Sequence, residues 1–270
     1  MTAIAVTIAG SDSGGGAGIQ ADLKTFSALG VYGASVITAL TAQNTLGVTG
    51  VHDVPPEFVR AQIDAVFSDL AVDAVKIGML SRPDIIEAVA AGLDAYAQTT
   101  VVLDPVMVAA SGDPLLAEEA VSVLSSVLIP KALVITPNLH EAARLLGRPV
   151  AEDRAAMQAQ AEALLKLGPR AVLVKGGHGE GPESEDLLLT ADGEAEWFSA
   201  PRHDTMNTHG TGCTLSSAIA SGLALGKTLA QAVGDAKAYV TAAIKAADGL
   251  AIGKGHGPVQ HFHAFWQGDA

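Results

Sequence analysis

Short apolar runs alternate with longer stretches in which apolar residues recur every three to four positions, and this rhythm fills most of the chain. Short runs suit strands buried on both faces, and the longer period suits helices with one apolar stripe. Strands are expected at 4–9, 35–40, 74–77, 101–103, 133–135 and 171–174. Helices are expected at 17–29, 56–70, 83–96, 117–127, 139–146 and 153–167, several opened by the Pro, Asp or Asn that favour helix starts. Repeated β-α units of this kind build an α/β fold with a mainly parallel sheet between helices.

The rhythm breaks at 186–199, where two short runs flank Ala191-Asp192-Gly193. Asp-Gly is a hairpin signal, so a small antiparallel edge hairpin is expected there. Two Ala-rich helical stretches follow at 212–225 and 228–247, and then a tail containing His256, His261 and His263. With no cysteine nearby, those histidines read as mobile, solvated side chains rather than metal ligands. The stretch 25–52 carries no formal charge, but Gln43, Asn44, several threonines and four glycines interrupt it, so buried strand plus turns is expected instead of a membrane span. The first ten residues lack a basic segment and long apolar core and read as a first strand. No internal repeat or low-complexity linker divides the chain, and one domain over 1–270 is expected.

Composition narrows the function. Sixteen basic and 29 acidic side chains give a net charge of −13, which argues against a nucleic-acid partner. A single cysteine, Cys213, excludes an internal disulfide and zinc sites of the Cys₂His₂ or Cys₄ type, as a reduced cytoplasmic compartment would permit. The chain carries 29 glycines, and 11 of them fall in three loops: five at 10–18, four at 176–181, and Gly210 with Gly212.

The first glycine loop follows a strand and precedes a helix, so ligand contact or a strained turn is expected. It fails the dinucleotide fingerprint, because after Gly14 and Gly16 the third glycine would fall at Ile19. Gly226-Lys227-Thr228 imitates the end of a phosphate-binding Walker loop, but Ser221 stands where the upstream glycine belongs. The segment Asn207-Thr208-His209-Gly210-Thr211-Gly212-Cys213-Thr214 opens a helix and suits an anion, since free amides and the helix dipole converge at such a start. Cys213 there is either a thiol of lowered pKa acting as donor or base, or inert packing.

Two carboxylates follow expected strands, Asp104 in Leu103-Asp104-Pro105 and Glu141 in Asn138-Leu139-His140-Glu141. Ligands of open α/β sheets gather at that edge, and hard carboxylate oxygens suit Mg²⁺; the alternatives are a turn former and a first-turn helix residue. Lys175, in Lys175-Gly176-Gly177-His178-Gly179, offers a cation beside flexible backbone.

The ordered set of these blocks, together with Gly18-Ile19-Gln20-Ala21-Asp22, Thr41-Ala42-Gln43-Asn44 and Lys76-Ile77-Gly78-Met79, resembles the ribokinase-like superfamily. Within it the chain is most similar to the hydroxymethylpyrimidine/phosphomethylpyrimidine kinases of thiamine biosynthesis. The resemblance covers nearly the whole chain and implies a three-layer αβα sandwich that transfers phosphoryl groups from ATP to a hydroxymethylpyrimidine and to its monophosphate. It implies a substrate pocket of Gly10, Asp22, Gln43, Met79 and Val106, with the Gln43 amide bonding the aminopyrimidine. Asp104 and Glu141 would hold Mg²⁺, while Lys175, Thr211, Gly212 and Lys237 would meet ATP. Gly210, Thr211, Gly212 and Cys213 would form the anion hole, with Cys213 where many sugar kinases of the superfamily have a catalytic Asp. The resemblance also implies a homodimer, and it leaves pyridoxal or pyridoxine phosphorylation on the same fold as the alternative.

Overall fold

The computed structural model describes residues 1–108, 116, 118–177 and 181–266. Ala117, His178 and Gly179, which the sequence places at a helix start and in the loop carrying Lys175, lie outside the described residues. The strands are β1 Ile4–Asp12, β2 Tyr32–Asn44, β3 Gly47–Asp53, β4 Ala74–Ile77, β5 Val101–Leu103, β6 Val134–Ile135, β7 Ala171–Lys175, β8 Glu183–Thr190 and β9 Ala195–Pro201. The helices are α1 Gly18–Ala28, α2 Pro56–Phe67, α3 Pro83–Ala95, α4 Glu118–Val123, α5 Leu139–Leu146, α6 Arg154–Leu165, α7 Thr211–Ala224 and α8 Leu229–Lys245. A π-helical turn, Leu124–Leu128, extends α4.

All nine strands join one sheet in the order β3-β2-β1-β4-β5-β6-β7-β8-β9. The strands from β2 to β7 in this order run parallel, while β3 at one edge and β8 and β9 at the other are antiparallel to their neighbours. The expected hairpin is the β8–β9 pair, turned where Gly193 takes φ 87°. The β2–β3 hairpin was not expected. Its sequence, Gly-Val-Thr-Gly-Val-His-Asp in β3, is largely solvated and shows no clean apolar alternation.

The two faces of the sheet build two cores. Val6, Ile8, Val75, Ile77, Val101, Leu103, Val172 and Val174 face one side with residues of α2, α3, α5 and α6. Ala5, Ala74, Val102, Leu173 and Leu188 face the other with Phe26 of α1, Leu215 and Ile219 of α7, and Val233 of α8. This is a three-layer αβα sandwich. The side-chain period of two then places Thr7, Lys76, Asp104 and Lys175 on the α7 face, the last two at the carboxyl edge. Order reverses at β1, where β2 lies to one side and β4 to the other, and ligands of such sheets bind at that switch point. Among the described residues no helix is long and apolar enough to cross a membrane.

The tail corrects one expectation. Rather than being mobile, it crosses the carboxyl edge, with Thr45 O accepting from His256 N (2.9 Å), Gly257 O from His209 N (3.0 Å) and Ala243 O from Gln260 N (3.0 Å). His256 is exposed, but His261 is buried, 3.1 Å from Thr214 Oγ1, and the His263 ring sits 5.2 Å from that of Tyr239. Chain neighbours alone could not show this, because the contacts come from residues far away in sequence.

Burial, reinforced by the charge of Lys24, pushes the folded His261 down to about 4. An unfolded histidine titrates near about 6.5, so between these values the unfolded chain binds a proton that the folded chain refuses. The resulting stability is complete above the unfolded value and is lost as the pH falls toward the folded one, by roughly 3 kcal/mol. Urea unfolding of wild type and His261→Gln from pH 7 to 4 should show the wild-type slope flattened in the variant.

Candidate active site

The carboxyl edge opens into a cleft of about 810 Å³, within the range of roughly 300–1,000 Å³ typical of ligand sites. Its wall is set by two loops that pack back to back. The first, after β1, folds around its own carboxylate: Asp12 Oδ1 accepts from Gly14 N (2.8 Å), and Oδ2 accepts from Gly16 N and Ala17 N (both 2.9 Å). His209 Nε2 adds a contact at 2.9 Å to Oδ2. Burial opposes the Asp12 charge, but His209 and the amides outweigh it and hold this carboxyl below its usual range. The amides of 14, 16 and 17 are therefore directed at Asp12 and not at a ligand.

The second loop ends at Gly210, which takes φ 82° at the start of α7. A Cβ there would lie 1.9 Å from Gly16 O, so glycine is required by both the backbone conformation and the neighbouring loop. This close approach brings Thr211, Gly212 and Cys213 into the cleft, where first-turn amides have no helical carbonyl to bond. Of the two readings of Cys213, the thiol of lowered pKa is excluded. Burial pushes its thiol up to about 11, with Lys76 pulling the other way and Asp22 and Asp104 adding to the rise. The thiol receives the Gly18 amide and stays protonated at neutral pH.

Charge lines the floor in alternating sign. Asp104 is 1% exposed; its Oδ1 accepts from Lys175 Nζ (2.8 Å) and Thr136 Oγ1 (3.0 Å). Glu141 sits in a capping box: Glu141 N donates to Asn138 Oδ1, and Asn138 N donates to Glu141 Oε2 (both 2.8 Å). Lys175 Nζ lies 3.9 Å from that Oε2. Burial works against the Lys175 charge, but Asp104 and Glu141 outweigh it and raise its pKa. Burial pushes Glu141 up to about 7; Lys175 opposes that rise and Asp104 adds to it. Both carboxylates thus share one cation.

Gly10, Gln43, Met79 and Val106 line the cleft, as does Lys237, which donates to Asp186 Oδ2 (2.7 Å) and Ser184 Oγ (3.1 Å). Asp22 does not line it. Its carboxylate points beneath the wall, 2.9 Å from Lys76 Nζ through both oxygens, and accepts from Thr7 Oγ1 and Ser217 Oγ (both 2.6 Å). Lys76 and Asp22 are each 0% exposed, and the sequence reading gave Lys76 no role. Its signal was present: a lone cation inside the apolar run Ala-Val-Lys-Ile needs a buried partner. The Walker-like Gly226-Lys227-Thr228 lies elsewhere, with Lys227 paired to Asp235 (2.6 Å) and Thr228 capping α8.

A family model described as phosphomethylpyrimidine kinase matches residues 12–260. The chain belongs to that family. It is 63% identical over 267 residues, covering 99% of this chain and 100% of the relative, to a hydroxymethylpyrimidine/phosphomethylpyrimidine kinase of Rhizobium meliloti. The solved phosphomethylpyrimidine kinase of Clostridium difficile shares 48% identity and a TM-score of 0.79 over 89% of this chain and 99% of its own. A Bacillus subtilis pyridoxal kinase solved with ADP shares 36% identity and a TM-score of 0.89, over 98% of this chain and 99% of its own. Membership of the kinase family accounts for a cleft in which amides, cations and paired carboxylates converge.

Removing only one partner of the Lys76–Asp22 pair leaves a buried charge uncompensated. Lys76→Met should cost about 3–5 kcal/mol of unfolding free energy, and adding Asp22→Leu should restore much of it. Chemical denaturation of the two variants measures both steps.

Proposed function

We propose that this phosphotransferase passes the γ-phosphoryl group of ATP to the hydroxymethyl oxygen of 4-amino-5-hydroxymethyl-2-methylpyrimidine, and then phosphorylates the monophosphate, in thiamine biosynthesis. The observation carrying this reading is one cleft with an anion-binding helix start, a cation and two carboxylates at its floor, and an amide beside Met79 and Val106 on its wall. The amide of Gln43 pairs an acceptor with a donor, as a ring nitrogen beside an amino group requires. Met79 and Val106 supply apolar contact for a flat ring.

Among the described residues no three His, Cys, Asp or Glu side chains gather as a metal cluster. Asp104 and Glu141, both within reach of Lys175 at the cleft floor, are hard oxygen donors that suit a cation keeping water and phosphate in its remaining positions, which is how Mg²⁺ is usually held. When bound, Mg²⁺ neutralises phosphate charge. Lys175 and Lys237 add positive charge from the chain itself, and the amides of Gly212 and Cys213 donate from the α7 start. A loose phosphoryl-transfer transition state needs alignment and charge neutralisation more than a strong base. With its thiol protonated, Cys213 acts as a donor beside the reacting oxygen. The same reading carries a homodimer, which sedimentation would show as twice the 27.3 kDa of one chain.

Cys213→Ala should fold normally and lose roughly 10²-fold in kcat, by analogy with the loss of one aligned oxyanion donor. Unchanged turnover at saturating substrate would remove Cys213 from the reaction. Side-by-side ADP release with hydroxymethylpyrimidine and pyridoxal tests the substrate: kcat/KM should favour the pyrimidine, and a large preference for pyridoxal would overturn the assignment. Mono- and diphosphate products followed in one time course test the second transfer.

A further inference from the structure

The Gln43 amide is one member of a polar chain in the wall of the cleft. His209 Nε2 lies 2.9 Å from Asp12 Oδ2 and 3.3 Å from Gln43 Nε2. The other end of that amide, Oε1, lies 3.2 Å from Thr41 Oγ1, which is also 2.8 Å from Ser11 O. Asp12 and His209 are both buried, at 2% and 6% exposure.

Proton counting fixes every member of this chain. Ser11 O can only accept and is the nearer partner at 2.8 Å against 3.2 Å, so the Thr41 hydroxyl proton goes to it and the hydroxyl turns a lone pair toward Gln43. The Asp12 carboxylate also only accepts, so His209 carries its proton on Nε2, pointing toward Asp12 and the amide. The structure has the amide nitrogen toward His209 and the oxygen toward Thr41; the two ends of an amide are told apart only by their hydrogen bonds, and matching donors to acceptors reverses them, with the oxygen at His209 and the nitrogen at Thr41. With its nitrogen toward His209, two N–H groups would face each other, and its oxygen would face a hydroxyl whose proton is already given. One lone pair on Oε1 and one N–H on Nε2 remain for a ligand, in a fixed order along the wall.

We propose that Asp12 and His209 are positioning residues: they fix which way round Gln43 presents its acceptor and donor, and so select a heteroaromatic ring bearing an amino group beside a ring nitrogen. A ring with that pair satisfies both free positions, with its amino group donating to Oε1 and its ring nitrogen accepting from Nε2. A pyridine without the amino group leaves Oε1 unsatisfied. An amide free to rotate would serve either ring, and discrimination would fall. The inference rests on the reading of Gln43 as the residue that binds the pyrimidine.

Steady-state kinetics of the full chain with Mg-ATP test it, using hydroxymethylpyrimidine and pyridoxal. His209→Leu should raise KM for the pyrimidine about tenfold and cut its preference over pyridoxal by a similar factor, while kcat and KM for ATP stay within about threefold. His209→Gln, which restores a donor at the same reach, should recover most of the loss. If His209→Leu leaves the pyrimidine KM unchanged, or if kcat and both KM values worsen together, the positioning role is wrong. Gln43→Leu separates the two levels: an unchanged pyrimidine KM there sinks the reading of Gln43 itself, whereas an impaired Gln43→Leu beside a normal His209→Leu sinks only this inference. ¹⁵N NMR of the wild-type histidine rings needs no variant, and a His209 protonated on Nδ1 alone would overturn the proposal.

Discussion

Charge buried away from water must be paired, and the carboxyl edge of this sheet is arranged around that constraint. Asp22 pairs with Lys76, Asp104 and Glu141 with Lys175, and Asp186 with Lys237, all under or along one cleft. None is a surface pair that salt would screen. Each carboxylate is held by additional donors, such as Thr7 and Ser217 on Asp22 or Thr136 on Asp104. Desolvation of this kind is tolerated only when the remaining lone pairs and protons are matched, and here they are.

The glycine loops answer a different constraint, that of distance between backbones. Gly210 lies against the Gly16 carbonyl, and a Cβ on Gly18 would meet Gly10 O at 2.4 Å. The two loops can therefore sit in direct backbone contact, and α7 begins where its free amides reach the cleft. The first loop directs its amides to Asp12, whereas the start of α7 opens into the cleft. Two segments of similar composition thus face different partners. A net charge of −13 does not oppose binding of a polyanionic nucleotide, because distant surface charge is screened beyond roughly 10 Å and the local donors decide.

The C-terminal strap links the site to the rest of the chain. Gly257 and Pro258 run beside His209, His256 N is bonded to Thr45 at the β2–β3 turn, and Gln260 N reaches α8. It braces the anion loop from behind and buries His261 and Val259. Of the tail histidines, His261 and His263 are packed into the scaffold, whereas the His256 side chain is exposed.

The sequence by itself determined the alternation of parallel strands and helices, the hairpin at Gly193, and the charged and glycine-rich residues that gather at the cleft, because these follow from local periods of two and 3.6 and from residue chemistry. Helix α5 starts at Leu139 as its capping residues dictate, and Asp104 and Lys175 fall at strand ends as their apolar runs require. The antiparallel β3 edge was hidden, since a solvated strand carries little apolar signal. Only the tertiary structure decided that Asp22 turns inward to Lys76, that burial raises the Cys213 thiol to about 11, and that Asp12 and His209 stand behind Gln43. Each depends on residues between 54 and 197 positions apart, or on the exclusion of water, and neither leaves a periodic trace in the chain.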